Sequence, residues 1–82
     1  MTAKTILITG SNGLLGQKLV EQLRGRTEVR LIATSKGENR HPVQDGYTYA
    51  SLDITDEVGM RALFEQYQPT EMINGAAMTH VD

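Results

Sequence analysis

Thr5-Ile6-Leu7-Ile8-Thr9 is a nearly continuous apolar and β-branched run, the pattern of a strand buried on both faces of a sheet. The period then changes. Leu15, Leu19, Val20 and Leu23 recur at helical spacing, with Gln17, Lys18, Glu21 and Gln22 opposite them. This predicts an amphipathic helix over 14–24, ended by Gly25. Val29-Arg30-Leu31-Ile32-Ala33-Thr34 predicts a second strand. From Ser35 to Gly46 the chain is polar, with Pro42 and an Asp45-Gly46 turn signal, so this connection reads as a loop or a stunted helix. Tyr47 to Leu52 predicts a third strand. Asp56 is placed to cap a second helix with Met60, Leu63, Phe64 and Tyr67 on its apolar side; Gly59 weakens its first turn. After Pro69, Met72-Ile73-Asn74 opens a fourth strand running into Gly75-Ala76-Ala77.

Strands alternating with helices imply right-handed crossovers and a parallel sheet. The expected fold class is α/β: a partial Rossmann-type parallel sheet of order 3-2-1-4, with helices on both faces. Ligands of such sheets bind beyond the carboxyl ends of the strands, where the strand order reverses. The first strand ends there in a glycine turn, with Gly10, Gly13 and Gly16 three residues apart. Gly10 lets the chain leave the strand in a backbone conformation that side chains disfavour. Gly13 leaves no Cβ in the way of a phosphate, and Gly16 lets the helix pack closely on the strand. The free N–H groups near Gly13, Leu14 and Leu15 would then point at the anion, helped by the helix dipole. A tight turn that binds nothing is the alternative. The flanking strand and helix favour dinucleotide binding, and the Gly-Lys-Ser/Thr ending of a P-loop is missing.

Charge and composition narrow the class further. Eight basic against ten acidic side chains give a net charge of −2, which argues against nucleic-acid binding. Residues 24–40 carry five bases (Arg24, Arg26, Arg30, Lys36, Arg40) and two acids, Glu28 and Glu38. From His41 onward there are seven acids and one base, Arg61. The absence of cysteine excludes disulfides and thiolate metal sites. His41 and His80 lack a ligand spacing and read as a loop residue and a site-wall residue. Nothing reads as a signal peptide or a membrane span, so the expected location is the cytoplasm.

Thr9-Gly10-Ser11-Asn12-Gly13-Leu14-Leu15-Gly16 resembles the Thr-Gly-x-x-Gly-x-x-Gly of extended short-chain dehydrogenases/reductases. Leu52-Asp53-Ile54-Thr55-Asp56 resembles the ending of that family's third strand. Ile73-Asn74-Gly75-Ala76-Ala77-Met78-Thr79-His80-Val81-Asp82 is similar to a segment of the dTDP-4-dehydrorhamnose reductase branch. The resemblance implies that the backbone at Asn12, Gly13, Leu14 and Leu15 holds a pyrophosphate. It implies that Asp53 accepts from the adenine amino group with Ile54 beside the ring, that Ala76 and Ala77 leave room for the ribose, and that Thr79 lies toward the nicotinamide. Each has a plainer alternative: Asp53 could only cap a turn, and Ala76 and Ala77 could be tight packing. Asn74 is expected to tie the fourth strand to its neighbour.

NAD binding usually places an acid at the end of the second strand. Here Thr34, Ser35 and Lys36 stand there, which suits a 2′-phosphate and leans toward NADP over NAD; an incidental loop Lys36 is the alternative. Reductases of the family also use a Tyr-x-x-x-Lys pair. Four residues after Tyr47, Tyr49 and Tyr67 come Ser51, Asp53 and Glu71, so no catalytic residue is assigned. Residues 1–82 therefore read as the N-terminal part of an NAD(P)-binding domain of a longer reductase acting on a nucleotide-sugar substrate. The other readings are a non-catalytic NADP-binding regulatory or sensor protein on the same fold, or a folding unit with no ligand. An exposed edge on the fourth strand would favour self-association.

Overall fold

The computed structural model describes residues 4–42 and 45–75. Its elements are β1 (Lys4–Thr9), α1 (Leu14–Leu23), β2 (Val29–Ser35), β3 (Thr48–Ser51), α2 (Glu57–Tyr67) and β4 (Glu71–Asn74). All four strands are parallel, in the order β3-β2-β1-β4. This is the Rossmann-type α/β arrangement expected from the alternation.

The two faces of the sheet follow from the period of two along each strand. Ile6, Ile8, Leu31 and Ala33 point one way and bury Val20 of α1 among them. Leu7 and Ile32 point the other way, onto Leu63 of α2. Leu7, Ile8, Ile32 and Ala33 are fully buried. A stretch of strand covered on both faces needs consecutive apolar residues, and β1 supplies them over Ile6–Ile8 and β2 over Leu31–Ala33.

Three departures from the expected pattern have local causes. β3 is short: after Ser51 the Leu52 amide donates one last rung to the Ser35 carbonyl at 2.9 Å, and the chain then turns at Asp53. β4 spans Glu71–Asn74 and Gly75 lies outside it, while Ala76 and Ala77 are outside the described residues. Asn74 is paired with Thr9, and β1 offers no ladder beyond that point because Gly10 swings to φ +68°. Phe64, expected on the apolar side of α2, keeps 39% of its surface exposed. One residue beyond Leu63 is about 100° around the helix, past the side that the sheet covers.

Among its described residues the connection from 36 to 46 has no helix, and it folds back over α1. The Gly25 amide, just past the end of the helix, donates to the Gly46 carbonyl at 3.2 Å. His41, expected to be an ordinary loop residue, is buried with Nε2 3.5 Å from Glu21 Oε1. Its ring meets Tyr47 edge-on with centroids 6.1 Å apart. No helix among the described residues is long and apolar enough to cross a membrane.

Candidate functional site: the glycine turn and its neighbouring cleft

The two helices begin differently. α2 is capped: Asp56 Oδ1 accepts from the Gly59 amide at 3.0 Å, and Glu57 stands in the first turn. α1 starts at an N-cap glycine, Gly13, without a side-chain cap and without an acid in its first turn. The amides of Leu14, Leu15 and Gly16 have no acceptor among the described residues, the first helical bond running from Gln17 N–H to the Gly13 carbonyl at 2.9 Å. Uncapped N–H groups and an uncompensated helix dipole favour an anion at this end.

The Gly13 amide is not among them, contrary to expectation. It donates to the Gly10 carbonyl at 3.1 Å and closes the turn. The amides left open are therefore those of Leu14, Leu15 and Gly16, one residue further into the helix than expected. Ser11 is held by its amide, which donates to the Thr34 carbonyl at 3.1 Å. Its hydroxyl oxygen is buried with no partner among the described residues, a polar atom of the turn still open to one.

Gly16 does more than allow close packing on the strand. A Cβ there would lie 2.6 Å from Ser11 Cα and would strike the Gly10 carbonyl oxygen. The first turn of α1 is thus seated directly on the glycine turn. Gly75, to which the sequence assigned no part, closes the same cluster: its Cβ would come 2.8 Å from the Thr9 carbonyl oxygen.

Beside the turn, Gly10, Ser35, Lys36, Leu52, Asp53 and Ile54 line an open cleft of about 140 Å³. It lies across the carboxyl ends of β1, β2 and β3. Small-molecule pockets usually run to about 300–1,000 Å³, so the cleft matches one ring of a larger ligand. Ile54 is partly exposed along it. Asp53 does cap a turn: its Oδ1 accepts from the Thr55 amide at 3.0 Å and the Thr55 hydroxyl at 2.8 Å. Those bonds, the backbone one foremost, hold its carboxyl below the usual carboxylate range. Its Oδ2 lies 3.9 Å from Lys36 Nζ.

Of the residues at the end of β2, Ser35 and Lys36 reach the cleft. Thr34 does not. It is fully buried, and its hydroxyl donates to the carbonyl of Ala50, its partner in the β2–β3 ladder. Asn74 does what was expected, its Oδ1 accepting from the Thr9 hydroxyl at 2.9 Å. Ala76, Ala77, Thr79 and His80 lie outside the described residues.

Leu52, Tyr49 and the Asn12 side chain are additions to the site that the sequence did not announce. Asn12 entered through its backbone only, yet its Nδ2 donates to the Glu38 carbonyl at 2.8 Å and approaches the Lys36 carbonyl at 3.4 Å. Its Oδ1 accepts from the Arg40 amide at 2.8 Å. Tyr49 looked like an ordinary strand aromatic, but its hydroxyl sits between the carbonyls of Ser35 and Gly37, at 3.0 and 2.6 Å. A polar tip on a strand residue beside a polar loop is the one signal that could have found it.

A parallel sheet of this order, with an uncapped helix seated on a glycine turn at its carboxyl edge, defines a Rossmann-type α/β unit. Residues 4–82 match the family described as the RmlD substrate binding domain, and the chain belongs to that family. The chain is 38% identical over 73 residues to a dTDP-4-keto-6-deoxy-D-glucose reductase of Streptomyces niveus, covering 89% of this chain and 20% of that protein. It is 32% identical over 85 residues to a dTDP-glucose 4,6-dehydratase of Shigella flexneri, covering 94% of this chain and 24% of that protein. Among solved structures, L-threonine dehydrogenase from Clostridium difficile superposes with a TM-score of 0.72 at 31% identity, over 90% of this chain and 24% of that one. The chain thus spans about a fifth to a quarter of the length of the relatives it matches.

Proposed function

We propose that residues 1–82 form the N-terminal, dinucleotide-binding portion of an NAD(P)-dependent reductase acting on the 4-keto group of a deoxysugar nucleotide, as in the dTDP-4-dehydrorhamnose reductase branch. The observation that carries this reading is the contrast between the helices: α2 satisfies its own N-terminus, whereas α1 leaves the Leu14 and Leu15 amides open over a turn cleared by glycine. The pyrophosphate would lie on those amides, within reach of the open Ser11 hydroxyl. The adenosine end would extend into the cleft, with Ile54 beside the ring and Asp53 Oδ2 or the adjoining backbone facing its polar edge. When bound, the nicotinamide supplies the hydride, and the nucleotide-sugar substrate belongs to the remainder of the parent enzyme.

NADP is the better fit of the two cofactors. Ser35 and the well-exposed Lys36 stand at the cleft where an acid would meet an NAD ribose. The cytoplasm is the matching location. The outer edge of β4, unpaired among the described residues, would let the isolated chain self-associate. Titration of the chain with NADPH and NADH, read by nicotinamide fluorescence, tests the reading. Saturable binding with NADPH the tighter is expected, and no change up to millimolar cofactor would overturn it.

A further inference from the structure

We infer that the Asn12 side chain and the Tyr49 hydroxyl are positioning groups for cofactor selectivity: together they fix the 35–40 loop so that Lys36 is presented at the cleft. The inference rests on the dinucleotide reading and adds to it a source of selectivity that touches no part of the cofactor.

The geometry is that of a two-sided clamp. From the glycine turn, Asn12 spends both ends of its amide on the loop, donating to Glu38 and approaching Lys36 while accepting from Arg40. From β3, Tyr49 holds the carbonyls of Ser35 and Gly37. Every residue from Ser35 to Arg40 except Asn39 is therefore gripped through its backbone by one of two side chains on separate elements. Asn39 itself donates to the Tyr47 hydroxyl at 2.8 Å. Between residues 36 and 42 the loop has no strand ladder or helix of its own, so these bonds supply its shape.

The clamp matters because Lys36 is a long, exposed side chain. Held only by the chain ends, its backbone would sample many positions, and ordering it around a phosphate would cost conformational entropy at the moment of binding. The clamp orders that backbone beforehand. Gln17 fixes the other side of the turn, its Nε2 donating to the Asn12 carbonyl at 2.8 Å, so Asn12 itself is held. The pyrophosphate turn and the loop that would read the 2′ position are thereby joined through one residue.

The test measures dissociation constants of NADP and NAD for the 82-residue chain and for Asn12→Ala, Tyr49→Phe, Lys36→Ala and the Asn12→Ala/Lys36→Ala double variant. Amide exchange in β1 and β2 confirms that each variant is folded. Tyr49→Phe removes only a hydroxyl and serves where Asn12→Ala does not fold. Each clamp variant is expected to lower the preference for NADP over NAD by about two- to fivefold, the range of an exposed ion pair. Adding Asn12→Ala to Lys36→Ala should lower it no further, since the clamp acts through Lys36. A preference unmoved by either clamp variant overturns the inference and leaves dinucleotide binding standing. A wild-type chain that binds NAD as tightly as NADP overturns it together with the Lys36 assignment. A chain that binds neither cofactor removes the dinucleotide reading and this inference with it.

Discussion

The Thr9 hydroxyl donates to Asn74 Oδ1 at 2.9 Å across the last paired position of β1 and β4. Thr9 is 2% exposed and Asn74 is exposed, so the bond ties a buried hydroxyl of β1 to a side chain on the edge strand. Among the described residues β4 is a four-residue edge strand paired on one side only. Thr9→Val should lower stability by about 1 kcal/mol and speed amide exchange in β4 ahead of β2. Urea unfolding with exchange measured strand by strand checks this. A uniform loss across the sheet would show that the bond does not serve β4 in particular.

Gly16→Ala sets two effects against each other. Alanine is favoured in a helix interior by about 1 kcal/mol over glycine. The new Cβ, however, would meet the Gly10 carbonyl and Ser11 Cα, both backbone atoms that cannot swing aside, and overpacking of this kind costs about 1–3 kcal/mol. The clash should win. The variant is expected to unfold at lower urea and to bind NADPH more weakly, because α1 must lift off the turn that its amides serve. A stability equal to or above wild type would mean the turn gives way more easily than its contacts suggest.

Asp53 gives a pH prediction. Hydrogen bonds from the Thr55 amide and hydroxyl hold its folded-state pKa below the ordinary 3.8. A carboxylate lowered in this way contributes fully above its unfolded value and loses that contribution as pH falls through the folded value. The β3–α2 turn should therefore keep its shape down to pH 3.8 and loosen below it. In Thr55→Ala the hydroxyl is gone but the amide remains, so the midpoint should rise only part of the way. Following the Asp53 carboxyl by NMR checks both statements; a wild-type midpoint at or above the ordinary value would refute them.

The parts of this molecule readable from sequence are those governed by one element at a time. The apolar runs of β1 and β2 announce a doubly covered parallel sheet because burial on both faces forbids alternation. Asp56 announces the start of α2 because a cap acts within one turn. The glycine turn was legible for the same reason, down to the positive φ of Gly10. What escaped depends on approach between distant segments. Thr34 is claimed by β3, and the Asn12 amide reaches 24 to 28 residues along the chain. Gly75 is required by the Thr9 carbonyl, 66 positions away in sequence, and nothing near Gly75 says so.

Lys36 tests the cofactor assignment most directly. Its ammonium lies 3.9 Å from Asp53 Oδ2, with 84% of the Lys36 side chain exposed. A contact of that length and exposure contributes little to stability, so Lys36→Ala should leave the urea midpoint almost unchanged. The lysine is free to leave Asp53 for a stronger anion, and a 2′-phosphate with its two negative charges is one. Lys36→Ala should weaken NADP binding by about two- to fivefold while NAD binding holds, and the difference should shrink as salt is added. Isothermal titration at low and moderate ionic strength separates these effects. If both cofactors weaken equally, Lys36 senses the pyrophosphate or the loop as a whole, and the preference for NADP must come from elsewhere.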